Sequence, residues 1–324
     1  MSVLIKIKQT LQKNAFGKKI ITLYHYLVAV PISKFRMLKF HLIKKSRVFE
    51  ELKQVQFIEN EKLFNKLRDE HISLVRFGDG EISWIYMESK GYFGQVNSKE
   101  LSERLRTVLK NPTSRTIIAV PNFFDKFDDF SKSRINSRNI HLSKYATRWL
   151  ELLDRNYLYG DALVTRVYNG KLNFNFNNEF ENWKSVWKDR DVIIIEGKNT
   201  RFGIGNDLLS GARSVKRVLA PAENAFSKYS ELLDYIKKLN KDALFLVALG
   251  PTATVLAYEL SELYGMQSID IGHLDIEYEW FLKNAQKAIP VRGKYVNESG
   301  GTSLEELEND VLRKYVSEVI IDLS

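Results

Sequence analysis

The sequence predicts an α/β protein with a largely parallel sheet and helices on both of its faces. From about residue 56 onward, strand-like apolar runs alternate with helix-periodic segments. Several of those runs are apolar throughout, Val192-Ile193-Ile194-Ile195 and Leu244 to Leu249 among them, as strands covered on both faces are. With 324 residues, 44% of them hydrophobic and 27% charged, the chain can bury a large core, and fibrous and low-complexity classes are excluded.

The first element is a basic arm. Residues 1–50 hold eleven Lys/Arg and one acid, Glu50, whereas the rest of the chain holds 38 basic against 39 acidic residues. The net charge of +9 therefore sits in the arm and does not mark a nucleic-acid partner. Ile20 to Ile32 is mostly apolar, but shorter than the roughly 20 residues of a membrane span, and it is interrupted by Pro31. Its late start and the lack of a small-residue cleavage site argue against a signal peptide. Amphipathic, lysine-flanked helices on an anionic leaflet are predicted over residues 1–55. The alternative is an arm packed on its own domain or on a second copy of the chain, with its lysines solvated. Residues 56–324 form one catalytic-size domain, with no repeat and no linker.

Within that domain strands are predicted at Ser73–Phe77, Thr116–Val120, Ala162–Val167, Val192–Ile195, Val215–Leu219, Ala243–Leu249 and Ser268–Ile271. Leu101, Leu105, Val108 and Leu109 make a helical stripe over Ser98–Leu109. Pro251–Tyr264 reads as a helix bounded by Gly250 and Gly265. Ser303 and Glu306 form a capping box ahead of Leu307, Val311, Leu312 and Tyr315. The absence of cysteine removes disulfides, thiolate metal sites and cysteine nucleophiles, and favours a cytosolic protein.

Four segments carry candidate chemistry. After the first strand, Arg76-Phe77-Gly78-Asp79-Gly80-Glu81 places two carboxylates two residues apart, able to present hard oxygens to Mg²⁺ or Mn²⁺. Gly78 and Gly80 admit a bulky anion, and Arg76 offers a bidentate phosphate contact. The plain alternative is an Asp79-Gly80 hairpin turn. Glu196 to Asp207 follows a strand with Lys198, Arg201, Gly203, Gly205 and Asn206, either an anion cradle or a solvated loop. Thr252 and Thr254 open a helix whose N–H groups suit a diphosphate or a sugar hydroxyl, or serve only as a cap. Ile271 to Trp280 is dense in acids and aromatics, fit to line a sugar or to form the polar face of a short helix. The five histidines make no zinc signature, and neither a P-loop nor a Gly-x-Ser-x-Gly elbow is present.

Taken in order, RFGDGEI at 76–82, GDALVTRVY at 160–168, IIIEGKNTRFGIGNDLL at 193–209, LGPTATVLAYEL at 249–260, IGHLDIEYEW at 271–280 and KYVNE at 294–298 resemble the GT-D fold glycosyltransferases. That bacterial family was first catalogued as a domain of unknown function and is linked to adhesin and surface-glycan glycosylation. The resemblance implies a Rossmann-like sheet and metal-dependent transfer of a hexose from a UDP-sugar, with Mn²⁺ or Mg²⁺ on Asp79 and Glu81 of an Asp-x-Glu motif. It also implies a carboxylate base, with Glu298 and then Glu277 as candidates, and donor contacts among Arg76, Gly78, Gly80, Arg201, Asn206, Thr252 and Thr254. The basic arm points to a lipid-linked glycan, such as a capsular polysaccharide, as acceptor at the inner face of the cell membrane; a glycosylated adhesin is the other acceptor. A non-catalytic partner of a glycan-assembly complex and a glycoside hydrolase are the alternative readings.

Overall fold

In the computed structural model, which describes residues 15–299, 301–302 and 307–324, apolar alternation along the strands divides the interior into two cores. Val75, Ile118, Val120, Ile193, Ile195, Phe245 and Val247 face one side of the sheet. Their neighbours Leu74, Ile117, Ala119, Val192, Ile194, Leu244 and Leu246 face the other. The period-two projection of a strand makes this division, and it explains the unbroken apolar runs within the central strands.

The strands are β1 Gln56–Phe57, β2 Ser73–Arg76, β3 Thr116–Val120, β4 Leu158–Asp161, β5 Asp191–Gly197, β6 Ser214–Ala220, β7 Leu244–Ala248, β8 Ser268–Asp270, β9 Tyr295–Val296, β10 Gly301–Thr302 and β11 Val319–Asp322. Nine of them, among the described residues, form one sheet in the order β1-β4-β3-β2-β8-β7-β5-β6-β11. Every neighbouring pair in it is parallel. β9 and β10 make a separate antiparallel pair.

The helices are α1 Ala15–Tyr24, α2 Val30–Lys44, α3 Arg47–Leu52, α4 Asn60–Arg68, α5 Glu81–Ile85, α6 Lys99–Lys110, α7 Lys132–Leu152, α8 Phe176–Trp187, α9 Tyr229–Ile236, α10 Pro251–Tyr264, α11 Leu274–Leu282 and α12 Asn309–Glu318. Residues of α6, α7, α9 and α10 cover the first core, and those of α4, α8 and α11 the second. α10 has the bounds its punctuation predicts, closed by Gly265 in the left-handed conformation.

Three expectations are corrected. The strand expected at Ala162–Val167 lies one step earlier, at β4. Asp161 caps the 3-10 turn Ala162–Thr165 by accepting from the Leu163 amide, so the chain leaves the sheet there. Pro31 does not interrupt the arm, because it occupies the first turn of α2, where a missing N–H is no loss, after a π-helical turn at His25–Ala29. The hairpin alternative at Asp79-Gly80 also fails: β2 is parallel to both neighbours and the chain passes from it into α5. The capping box at Ser303 and Glu306 lies outside the described residues, although its helix is present as α12.

The arm is part of the fold at its C-terminal end. Phe40, Phe49, Leu52 and Val55 are buried in the first core. Phe40 and Phe49 lie against the Arg138 guanidinium of α7, at 5.5 and 5.6 Å from their ring centres. Earlier in the arm, Phe16, Leu23, Tyr26, Leu27, Phe35, Leu38 and Leu42 are exposed. No helix among the described residues is long and apolar enough to cross a membrane.

One buried ion network ties the C-terminal strand to the sheet. Arg217 on β6 donates to Glu196 on β5 at 2.7 Å and to Glu318 at 2.7 Å, and Glu196 is fully buried. Arg217→Met would leave the Glu196 carboxylate without its counter-charge, so a loss of about 3–5 kcal/mol is expected in denaturant unfolding. The double variant Arg217→Met/Glu196→Gln should recover part of it, because the fully buried carboxylate is then neutral and only Glu318 is left without its partner.

Candidate functional site

The connections fix where a site can form. From β2 the chain turns toward β3 and from β7 toward β8, both in one direction along the sheet, whereas β5 leads the opposite way to β6. The sheet therefore has a crevice at the carboxyl ends between β5 and β7, where parallel α/β proteins take ligands. A cleft of about 650 Å³ lies there, lined from β2, β3, β5, β7 and β8 and the loops that follow them.

At its centre Arg76 is held in place by acceptors within the fold. Its Nε donates to the Asp270 carbonyl at 2.9 Å, its Nη1 to the Ala162 carbonyl at 3.0 Å and to Thr165, and its Nη2 lies 3.3 Å from the Asp270 carboxylate. Gly272 makes this approach feasible, since a Cβ there would run into the guanidinium, and its φ of +51° favours glycine. The Thr254 hydroxyl donates to Asp270 at 3.2 Å, which ties the first turn of α10 to the same carboxylate.

Asp79 lies in the exposed turn after β2, and Glu81 is the first residue of α5. The Glu81 side chain folds back over Gly78, where a Cβ would stand 2.8 Å from Oε2. Burial, and next the charge of Asp270, push the Glu81 carboxyl up to about 7. Burial likewise raises Asp270, against the pull of Arg76. No group of three or more acids or histidines is gathered for a metal ion among the described residues. Two hard carboxylate oxygens whose negative charge is incompletely offset nevertheless suit a divalent cation that takes its other ligands from water and phosphate.

Glu298 faces the cleft from the segment after β9. Its Oε1 accepts from Arg166 at 2.7 Å and its Oε2 lies 3.2 Å from His273 Nε2. Burial alone would raise this carboxyl; the His273 contact and the Arg166 charge outweigh it and hold it well below the usual range. Glu277, on α11, is fully buried and its Oε2 accepts from the Tyr168 and Asn169 amides at 3.0 and 2.6 Å, which fixes the loop that carries Arg166.

The cleft thus brings together Arg76, Gly78, Asp79, Gly80, Glu81 and Glu298. Glu277, Arg201, Asn206, Thr252 and Thr254 are not in its lining. Arg201 turns away to the Gly293 carbonyl at 2.8 Å. Asn206 donates to Asp275 and Glu279 at 2.8 and 2.9 Å, and Thr252 to Gln95 at 3.3 Å. Of the segment Ile271 to Trp280, Gly272, His273, Asp275 and Ile276 line the cleft. The polar-face reading is corrected, because α11 is internal, with Trp280 in a small core of its own and Asp275 paired with the buried Lys294 at 2.6 Å.

Sequence reasoning did not select Asp270, His273, Arg134, His141 or Arg166, all of which line the cleft. The signal for Asp270 and His273 was their place at the end of a strand, and the misplaced β4 hid Arg166. His141 accepts from Trp149 Nε1 at 2.9 Å through its own Nε2, so its neutral ring carries the proton on Nδ1. Burial pushes it from 6.5 down to about 4. The unfolded chain therefore takes up this proton first. Stability from the neutral ring is complete above pH 6.5 and is lost as pH falls through about 4. Thermal melts from pH 7 to 4 should show this loss, and His141→Gln should flatten it.

A parallel α/β sheet with a polar cleft at its switch point defines a protein of the Rossmann-like class. Residues 74–299 match the glycosyltransferase GT-D fold family, and the chain belongs to it. It is 33% identical over 281 residues to a probable glycosyl transferase, Gly, of Streptococcus gordonii, and 33% identical over 262 residues to the glycosyltransferase GlyD of Streptococcus pneumoniae. Those alignments take in 85% and 79% of this chain but only 40% and 31% of the relatives, so it spans less than half of their length. Among solved structures it superposes with a TM-score of 0.79 at 30% identity on a domain, formerly of unknown function, reported to have a distinct glycosyltransferase fold. The match covers 86% of this chain and 99% of that one. A glycosyltransferase from Streptococcus sanguinis gives a TM-score of 0.77 at 31% identity, covering 83% of this chain and all of the other.

Proposed function

We propose that the chain transfers a hexose from a UDP-sugar to a growing surface glycan, with a divalent cation held by Asp79 and Glu81. The observation that carries this is the acid pair itself, set beside Asp270 at a switch-point cleft with Glu81 raised to about 7. When bound, Mn²⁺ or Mg²⁺ would supply positive charge against the diphosphate of the donor. Gly78 lets the Glu81 carboxylate lie close to the backbone of the turn, and Gly80 lines the cleft beside it. Arg76 sets Asp270 and the turn after β8 in place. Glu298, on the cleft wall, takes the proton of the acceptor hydroxyl. The glycoside hydrolase alternative draws no support from this cleft, because two acids on one turn do not flank a glycosidic bond.

The exposed apolar residues of α1 and α2, among lysines and arginines and with no acid before Glu50, support a peripheral position on an anionic leaflet and a lipid-linked acceptor. Calorimetry with UDP, followed by a screen of UDP-sugars, tests the reading. UDP should bind more tightly with Mn²⁺ than with EDTA, by about tenfold or more. Equal affinity in both would sink the metal-dependent donor site.

A further inference from the structure

The charges lining the cleft do not pair evenly. Arg76 faces Asp270, Arg166 faces Glu298, Lys144 faces Glu88 and Asp275 faces Lys294. What remains is the acid pair Asp79 and Glu81 and, opposite in sign, Arg36, Lys90, Arg134 and Arg138, none of which makes an ion pair among the described residues. The Arg134 Nε is buried without a hydrogen-bond partner. Arg138 spends three donors on the carbonyls of Phe123 and Asp125 and on the Asn139 side chain, and meets the charges of Asp125 and Asp128 without a direct ion pair.

These cations have an order in space. Arg134 feels Arg166, Glu277, Asp79 and Glu298, which places it at the catalytic end. Arg138 is one turn further along the same face of α7 and lies against the Phe40 ring of the arm. Arg36 is one turn before Phe40 on α2 and lines the cleft from the arm itself. Further round the same helix, Phe35, Leu38 and Leu42 form an exposed apolar stripe. An unpaired cationic wall therefore leads from the catalytic carboxylates to an apolar, basic helix face.

We propose that Arg134, Arg138 and Arg36 form a track for the diphosphate of a lipid-linked acceptor, whose chain lies in the bilayer beneath α2 while its sugar reaches Glu298. This rests on the transferase reading above for the direction of the sugar, but not for the anion site. Guanidinium groups suit phosphate oxygens, and a bilayer-facing helix beside them distinguishes a lipid diphosphate from a free one.

Full-length protein is titrated with phosphatidylcholine vesicles that contain a few per cent of either farnesyl diphosphate or phosphatidylglycerol. UDP affinity is measured separately by calorimetry with Mn²⁺. Wild type should prefer the farnesyl diphosphate vesicles. Arg36→Ala should weaken that binding roughly tenfold and leave UDP affinity in place. Arg36→Lys should restore part of the loss, and Lys39→Ala, on the arm but outside the cleft, should reproduce little of it. Equal affinity for the two vesicles, or equal losses in Arg36→Ala and Lys39→Ala, would reduce the wall to diffuse surface charge and overturn the proposal. Loss of UDP affinity in Arg36→Ala with vesicle binding unchanged would assign the cation to the donor and overturn it as well. Failure of wild type to bind UDP would remove the transferase reading, while the vesicle comparison still decides the anion site.

Discussion

Replacement of Asp79 or Glu81 by alanine should lower sugar transfer by at least about a hundredfold while the protein stays folded. Asp79 is exposed in its turn and carries no packing, so its loss removes a charge and little else. Glu81 is different, since its carboxyl lies over Gly78 and is raised to about 7 beside Asp270. Removal of that acid relieves crowding of negative charge, so the variant should melt no lower than wild type. A fall in activity with unchanged melting is thus the signature of a metal contact. In both variants Mn²⁺ should no longer strengthen UDP binding in calorimetry, and persistence of the Mn²⁺ effect in both would move the cation elsewhere.

The second large effect is expected at Glu298. Glu298→Gln should reduce kcat by roughly 10²–10⁴-fold with UDP affinity little changed, because a base acts on the acceptor hydroxyl and not on the diphosphate. Arg166 and His273 hold this carboxyl ionised far below neutral pH, so the acid side of the pH-rate profile should not report its titration. Glu277→Gln provides the contrast. Its carboxylate binds the amides of Tyr168 and Asn169, so the variant should lose stability and displace Arg166. A Glu298→Gln enzyme with full kcat would remove the base assignment.

The sheet was largely legible because β7 is apolar at every position and β3 and β5 carry the unbroken apolar runs Ile117–Val120 and Val192–Ile195, as double coverage requires. β4 was not, because Ala162, Val164 and Val167 look like a strand but bury their side chains from a 3-10 turn and the loop that follows it. The acid pair could be read from its spacing. Its raised Glu81 could not, because Asp270 is far away in sequence and meets it only when β8 lies beside β2. Arg201, Asn206 and Thr252 read as ligand contacts because polar side chains at strand ends suit anions. In the structure each donates to an internal acceptor that local sequence does not disclose. The arm misled in a further way: its lysines concealed that Phe40 and Phe49 belong to the main core.

The division of labour between the two faces and the rim of the sheet bears on how such a protein can change. Residues that set stability lie above and below the strands, and residues that meet ligands lie in the connections beyond their carboxyl ends. Exposed positions in these connections, such as Asp79, can therefore exchange side chains without opening either core, whereas Phe123, Phe124 and Phe127 after β3 cannot, because they are buried in the first one. Descendants of one ancestor could diverge in the sugars they handle at small expense in folding, since variation falls where the polypeptide has the most freedom.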